Sequence, residues 1–347
     1  MPLNSVEIER IGKAAIDHNR RNKPIDQINV ERPLLDLLLK NPKDLIGGKD
    51  FIVSQLYIGN GGNGQYWAGN TRVSYNTRSP DEQAKFRYTN FHDGFTLNED
   101  ELFRAGIKVN DDKGKSTSSE NEIVALANYM ETRMKALNEG AKDFMHAAVW
   151  LDGTQSVDAV PGVDALVSLT PTVGTIGALS AATNTYWRNS ARTNVAATLV
   201  AMCDAMEQVK REIMRTQGRI SNIFAGSAFI DALRNAVIAA NVTQITYGGG
   251  AQIGIDMATK QMKFDGIPIV WVPEFDGNFG TAPAIPFSKR CYMLDMRYLN
   301  MARDPDDFMK MRYPGKPIDQ YAYYYAMTAK FGMEITGRNK QAVISLA

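Results

Sequence analysis

The sequence has little of the chemistry that metal sites and nucleophilic enzymes use. It contains 2 cysteines and 3 histidines in 347 residues. His18, His92 and His146 lie far apart and lack metal-ligand spacing to Cys, Asp or Glu. No G-x-S-x-G elbow or G-x-x-x-x-G-K-[ST] loop is present. Cys203 and Cys291 lie in apolar patterns typical of small buried hydrophobes in a reducing compartment. We therefore expect no catalytic residue, no metal and no cofactor.

The chain also has no excess charge of either sign. Its formal net charge is +1, from 39 basic and 38 acidic residues. Bulk electrostatic attraction to nucleic acid or to an anionic membrane is therefore not expected. One basic cluster near the N-terminus is the exception, and a solvated helix face or a nucleic-acid contact would explain it. It comprises Arg10, Lys13, Arg20, Arg21 and Lys23.

Long hydrophobic runs are missing as well. Residues 165–187 are uncharged, but Pro171, Gly174, Gly177 and many Ser and Thr residues make them too polar for a membrane helix. The first nine residues are too polar and acidic for a signal peptide. The sequence therefore predicts a soluble protein.

A long amphipathic helix is the strongest local prediction. Ser119–Glu122 has the form of a capping box, and apolar residues then recur at helical spacing to residue 148. A helix over residues 120–149 would be about 45 Å long. Gly140 leaves open the alternative of an ordinary core helix that ends there.

The clearest strand lies near the C-terminus. From Tyr321 to Thr336, mostly apolar residues at odd positions alternate with a more polar even-numbered face, which predicts a long half-buried strand. Gly337–Lys340 then forms a turn into a last strand over residues 342–346, so we expect a long strand hairpin.

A glycine-rich stretch follows a predicted strand at residues 51–58. Gly59–Gly64 matches the G-x-G-x-x-G dinucleotide fingerprint. That fingerprint functions where the glycines open a helix whose N-terminus meets the pyrophosphate. Gln65–Tyr75 has no helical pattern, which favours a flexible loop and leaves a nucleotide-dependent enzyme as a remote alternative.

Residues 72–95 have the pattern of an extended hairpin. One limb is Arg72–Thr77, the turn is Arg78–Asp81, and the other limb is Lys85–Phe91. Charges and aromatic residues are mixed on both faces, so this ribbon has no core of its own and needs a surface to lie on.

The remaining segments predict a compact α/β lobe after the long helix. The predicted helices cover residues 33–39, 102–105, 193–216 (capped by Thr193) and 227–240, with a helix-like pattern at 5–20. The predicted strands cover residues 220–224, 264–275 and 290–294.

This order of parts resembles the major capsid protein of tailed bacteriophages, the α+β Hong Kong 97-type fold. The most specific local match is Gly162–Asn189, and Phe264–Val270 and Cys291–Asp295 are similar to strands of that family. The resemblance implies an N-terminal arm (1–48), an E-loop with flanking strands (49–98), a peripheral domain (99–190) with a spine helix (119–149), an axial domain (191–290), and C-terminal strands returning to the peripheral domain (291–347).

The resemblance also implies a function: a structural subunit, not an enzyme, of an icosahedral virion shell around double-stranded DNA, built from hexamers and pentamers and assembled in the host cytoplasm. Implied partners are a separate scaffolding protein, since no fused scaffold precedes the arm, a portal, a decoration protein and DNA bound without sequence specificity; no membrane is involved. An encapsulin-type compartment is the alternative. The basic cluster would face the DNA, and the expected inter-subunit contacts are Asn76, Arg78, Asp81, Glu82, Lys85 and Arg87.

Overall fold

A computed structural model describes residues 3–4, 31–44, 51–59, 61–104, 109–110, 120–239, 253–256, 261–315 and 320–347. The N-terminal basic cluster, the helix-like pattern at 5–20 and Ser119 of the capping box lie outside these residues. The described chain forms two compact units. The first unit contains the described residues within 89–147 and 303–331, together with residues 3–4. The second contains those within 31–88, 148–302 and 332–347.

The α-helices of the described chain match the predicted helices in number and closely in position, apart from one additional short helix. They are α1 (Pro33–Lys40), α2 (Glu99–Arg104), α3 (Glu120–Trp150), α4 (Val163–Leu166), α5 (Leu199–Arg215) and α6 (Ser227–Ala239). The long helix α3 is confirmed and continues through Gly140.

The strands are numbered in chain order. They are β1 (Leu3–Asn4), β2 (Lys43–Asp44), β3 (Ile52–Tyr57), β4 (Asp81–Phe86), β5 (Thr89–Asn98), β6 (Val109–Asn110), β7 (Thr175–Ile176), β8 (Leu179–Ser180), β9 (Ser190–Val195), β10 (Asn222–Ala225), β11 (Ile253–Asp256), β12 (Gln261–Phe264), β13 (Ile267–Trp271), β14 (Arg290–Leu294), β15 (Leu299–Arg303), β16 (Lys310–Gly315), β17 (Ala322–Ile335) and β18 (Ala342–Leu346).

In the first unit, α3 contacts β5, the strand that pairs with the long strand β17. β5 and β17 are antiparallel, with ten paired positions from Ala322–Asn98 to Phe331–Thr89. The rings of Phe144 on α3 and Phe91 on β5 lie 4.8 Å apart between centroids and are tilted by 31°. The helix face that turns inward is fully buried at Leu126, Met130, Met134, Leu137, Ala141 and Met145. The i, i+3/i+4 spacing therefore becomes the packed face of the helix.

A seven-stranded mixed sheet organises the second unit. Its order is β11-β12-β13-β10-β14-β18-β9, with β10–β13 and β9–β18 parallel and the other pairs antiparallel. Apolar residues of α5 and α6 share one core with β10, β14 and β18. Trp150, Phe224, Phe275 and Tyr292 form a separate aromatic cluster, with ring centroids 4.7–5.6 Å from Trp150.

Two predictions of strand pairing are wrong. The limb at residues 72–77 is no strand, and β4 pairs with β3 instead, from Ile52–Phe86 to Tyr57–Asp81. β3 buries alternate residues in that ribbon, whereas residues 71–79 are all exposed and have no face to bury. The last strand does not return along β17 either: β18 pairs with β14 and β9.

Three boundary details also differ from the prediction. Thr193 lies in β9, and α5 begins at Leu199 after Thr198. The predicted strand at 264–275 is broken by a turn at Asp265–Gly266, where both residues have positive φ of 51° and 77°. The end of β17 is buried on both faces, whereas the sequence predicted one buried face.

The division of the chain into five domains stays a prediction.

Glu334 lies on the predicted polar face at the end of β17 and is buried there. Its side chain is 0% exposed and accepts hydrogen bonds from Lys43 Nζ (2.8 Å), Ser54 Oγ (3.1 Å) and Asn300 Nδ2 (3.4 Å). These donors come from β2, β3 and β15. A buried carboxylate requires such partners, so one side chain holds three strands of the second unit together.

Candidate functional site

The candidate site is the ribbon loop, which we define as residues 58–80 between β3 and β4. The β3–β4 ribbon forms its base, and the Ile58 N–H donates to the Pro80 carbonyl over 2.7 Å just beyond the last strand pair. Lys85 of β4 anchors the base by donating its backbone N–H to the Gly177 carbonyl over 2.9 Å. Gly177 has φ +62°, and an added Cβ would lie 3.0 Å from Phe86 Cζ. The backbone of β4 can therefore approach only a residue without a side chain.

Side-chain hydrogen bonds hold the two limbs of the ribbon loop together. Asn63 Nδ2 and Gln65 Nε2 donate to the Ser74 carbonyl over 2.7 Å and 2.8 Å. Asn76 Nδ2 donates to the Gly61 carbonyl over 2.9 Å. These bonds replace the strand ladder that the limbs lack, so the loop has a defined path without burying apolar surface.

The end of the loop exposes aromatic side chains. A turn closes it, where the Thr71 hydroxyl donates to the Ala68 carbonyl over 2.7 Å. Next to that turn, Tyr66, Trp67 and Tyr75 are 105%, 68% and 93% exposed. We call these three residues the aromatic tip. Large exposed aromatic residues within one loop are candidates for a protein–protein contact.

The residues predicted for inter-subunit contact fall into two groups. Asn76 and Arg78 lie in the loop and are exposed. Asp81, Glu82 and Lys85 belong to β4, and Arg87 follows that strand directly. Most of the predicted contact residues therefore lie at the base of the loop and not at its end.

Besides Asn76, two of these residues have side-chain hydrogen-bond partners within the second unit. Glu82 accepts a hydrogen bond from the Tyr186 hydroxyl, and Arg87 Nη1 donates to the Val157 carbonyl over 3.1 Å. Burial, together with the hydrogen bond to Glu82 and its negative charge, raises the pKa of Tyr186 to about 12. The phenol therefore stays protonated at neutral pH and remains a donor to Glu82.

The sequence patterns did not predict the aromatic tip. Its signal is Gln65–Tyr66–Trp67, bulky residues inside a stretch otherwise rich in Gly and Asn. Hydrophobic periodicity does not detect it, since the residues follow neither helical nor strand spacing.

The structural context of a dinucleotide site is missing at Gly59–Gly64. After these glycines the described chain has no helix before α2 at residue 99. Within the described ranges, no three His, Cys, Asp or Glu side chains gather as metal ligands would. Likewise, none of the described helices combines the length and apolar character needed to cross a bilayer.

Solved structures show which proteins share this fold. The capsid of cyanophage A-1(L) superposes with a TM-score of 0.62 at 15% identity, covering 93% of this chain and 96% of that one. A Gordonia phage Cozz chain gives a TM-score of 0.56 at 13% identity, covering 94% and 91%. The capsid of a native GTA particle gives 0.51 at 12% identity, covering 94% of each chain.

No protein-family model matches the sequence, and no curated protein sequence matches it. The structural likeness nevertheless extends over nearly the whole of both chains. The chain therefore has the α+β fold of phage capsid subunits, the Hong Kong 97-type fold, as the sequence predicted.

Proposed function

We propose that the protein is the structural subunit of an icosahedral tailed-phage shell that encloses double-stranded DNA. The observation that carries the proposal is the fold itself, shared with capsid chains over 93% of this chain and 96% of the cyanophage one. The exposed ribbon loop supports it. A loop that buries nothing in its own subunit is suited to contact with a neighbouring copy.

The proposal includes a virion location, assembly in the host cytoplasm, and no enzymatic activity. Hexamers and pentamers, a scaffolding protein, a portal and a decoration protein belong to it as partners. We place the inter-subunit contact on Asn76, Arg78, Asp81 and Lys85, with Glu82 and Arg87 bracing the base. The basic cluster at Arg10–Lys23 would face the DNA, and its contribution would weaken steeply with salt.

Sedimentation velocity and electron microscopy of the purified full-length chain test this proposal. We expect closed or aberrant megadalton shells, with or without a co-expressed scaffolding protein. A stable monomer whose sedimentation does not change with concentration would contradict it.

Particles from the native source separate a phage shell from an encapsulin compartment. A phage shell should contain nuclease-protected double-stranded DNA, whereas an encapsulin would contain a protein cargo. Titration with NAD and ATP tests the remote enzyme alternative, and we expect no saturable binding.

A further inference from the structure

A pocket lies at the base of the ribbon loop, within the second unit. It has a volume of about 330 Å³. Its walls come from the end of β3, the 3₁₀ turn at 185–187, the end of α5 and the turn between β17 and β18. Its lining residues are Leu56, Tyr57, Ile58, Tyr186, Trp187, Thr216, Gln217 and 336–340.

Arg338 beside this pocket is a buried cation without a counter-ion. Its residue is 0% exposed, and it donates from Nε to the Leu166 carbonyl and from Nη1 to the Trp187 carbonyl, both over 2.8 Å. Its Nη2 has no hydrogen-bond partner. Two neutral carbonyls do not balance a full positive charge, and an isolated buried charge is strongly unfavourable.

Arg290 shows how the same fold treats another buried arginine. That side chain is 3% exposed, and its Nη1 lies 2.5 Å from Asp164 Oδ1. No carboxylate stands within ion-pair distance of Arg338 among the residues that the structure describes. The difference places an uncompensated positive charge next to a pocket.

Lys340 adds a second cation to the pocket wall. Its Nζ lies 3.7 Å from the centre of the Tyr298 ring, a cation–π contact that leaves its charge without an anion in the described chain. None of the described lining residues carries a carboxylate. Glu82 accepts a hydrogen bond from the hydroxyl of the lining residue Tyr186. The side chains of Thr336, Asn339 and Gln217 supply further polar groups on the lining.

We propose that this pocket binds a small oxyanion, a phosphate or a carboxylate group. Lys340 and the neighbouring polar side chains would contact it, and the buried charge of Arg338 would act on it through the low-dielectric wall. Leu56 and Trp187, which are both buried, form the apolar part of the lining. This proposal does not rest on the proposed shell function.

Calorimetric titration of the full-length chain with inorganic phosphate and with succinate, at low ionic strength and pH 7, tests the proposal. We expect saturable binding of at least one of the two, and the preferred probe shows which source of oxyanion the pocket selects. Sodium chloride at matched ionic strength is the reference. Lys340→Gln should weaken binding about tenfold, the loss of one good charge contact.

Two further variants make the result decisive. Lys340→Arg should restore most of the binding, and Lys310→Gln, which removes an exposed charge in the first unit, should leave it unchanged. Arg338→Lys probes the buried charge, with circular dichroism confirming that the variant folds. The proposal is overturned if neither probe binds saturably, or if Lys340→Gln binds as tightly as the parent chain.

Discussion

Arg290 and Asp164 form an ion pair across 2.5 Å, and the Arg290 side chain is only 3% exposed. Asp164 belongs to α4, in the segment 162–189, and Arg290 begins β14 of the seven-stranded sheet. Tyr292 donates to the same Asp164 oxygen over 3.2 Å. One carboxylate therefore attaches this segment to the sheet.

Removal of that carboxylate should strongly destabilise the second unit. Asp164→Ala leaves Arg290 buried without its partner, and we expect a loss of about 3–5 kcal/mol in the free energy of unfolding. Urea denaturation followed by tryptophan fluorescence measures it. Asp158→Ala, at an exposed position, is the matched control and should change stability by less than about 0.5 kcal/mol. Equal effects of the two variants would show that the ion pair contributes nothing.

The aromatic cluster around Trp150 should be a second sensitive point. Trp150→Ala removes a fully buried ring that contacts Phe275 at 4.7 Å and Tyr292 at 5.4 Å between centroids. We expect a cost of about 3–5 kcal/mol because the neighbours cannot fill the cavity. Trp271→Ala, at a position that is 51% exposed, should cost far less. Thermal unfolding of both variants tests this order, and its reversal would contradict the packing described above.

The stability of the first unit should depend on pH through the carboxyl group of Asp307. Burial acts to raise the pKa of Asp307, but hydrogen bonds from Thr328 and Arg312 and the charges of Arg312 and Lys330 outweigh it and hold that pKa below its ordinary value. The unfolded chain therefore binds this proton first as the pH falls. The contribution of Asp307 to the free energy of unfolding is therefore complete above about pH 4 and is lost progressively below it.

Asp307→Asn tests that dependence. The variant should be less stable than the parent at pH 7, and the difference should shrink between about pH 4 and pH 2. Asp306→Asn, which alters an exposed neighbour, should retain the parent's pH profile. A constant difference between Asp307→Asn and the parent across this range would rule out the proposed linkage.

The ribbon loop should matter for assembly more than for folding. Replacing residues 62–75 by two glycines leaves β3 and β4 intact, and the short Asn76–Gly61 contact shows that the ends lie close together. Loop ends with few core contacts tolerate such changes, so we expect a cooperatively melting subunit that fails to close shells. Normal shells would show that the loop is not a contact. A variant that does not fold would place the loop in the subunit's own core.

Trp67→Ala is the finer test of the same loop. It removes one side chain of the aromatic tip, which is 68% exposed and cannot contribute much to folding. Unchanged melting with a raised critical concentration for assembly is expected. Val173→Ala, another exposed apolar position at 66%, serves as the control, and an equal effect of both variants would argue against a specific contact.

Mature particles should contain no covalent links between subunits. Some capsid families join an E-loop lysine to an asparagine with the help of a buried glutamate, and Lys85 near the ribbon could serve as the lysine. No sequence motif identifies its asparagine and glutamate partners. We therefore expect a single band at 38.4 kDa on denaturing gels. A ladder of higher-mass bands would contradict this.

The amino-acid sequence by itself determined the elements that local periodicity defines. Helix α3 and strands β10, β14, β17 and β18 appear within one or two residues of their predicted bounds. Helix α3 buries a face whose 3.6-residue spacing is visible in the sequence. β14 and β18 are instead short apolar runs that are buried at every position. Together with the segment Gly162–Asn189, this order of elements was enough to identify the fold.

Only the tertiary structure decided which strands pair and which side chains meet. β4 selects β3 over residues 72–77 because its apolar face needs the buried face of β3, and β18 leaves β17 for a sheet in which both of its faces are covered. Arg338 reaches the Leu166 and Trp187 carbonyls across 172 and 151 residues of chain. No local pattern encodes contacts of that range, because they arise from the packing of whole elements. The exposed aromatic tip and the pocket at its base therefore became visible only in three dimensions.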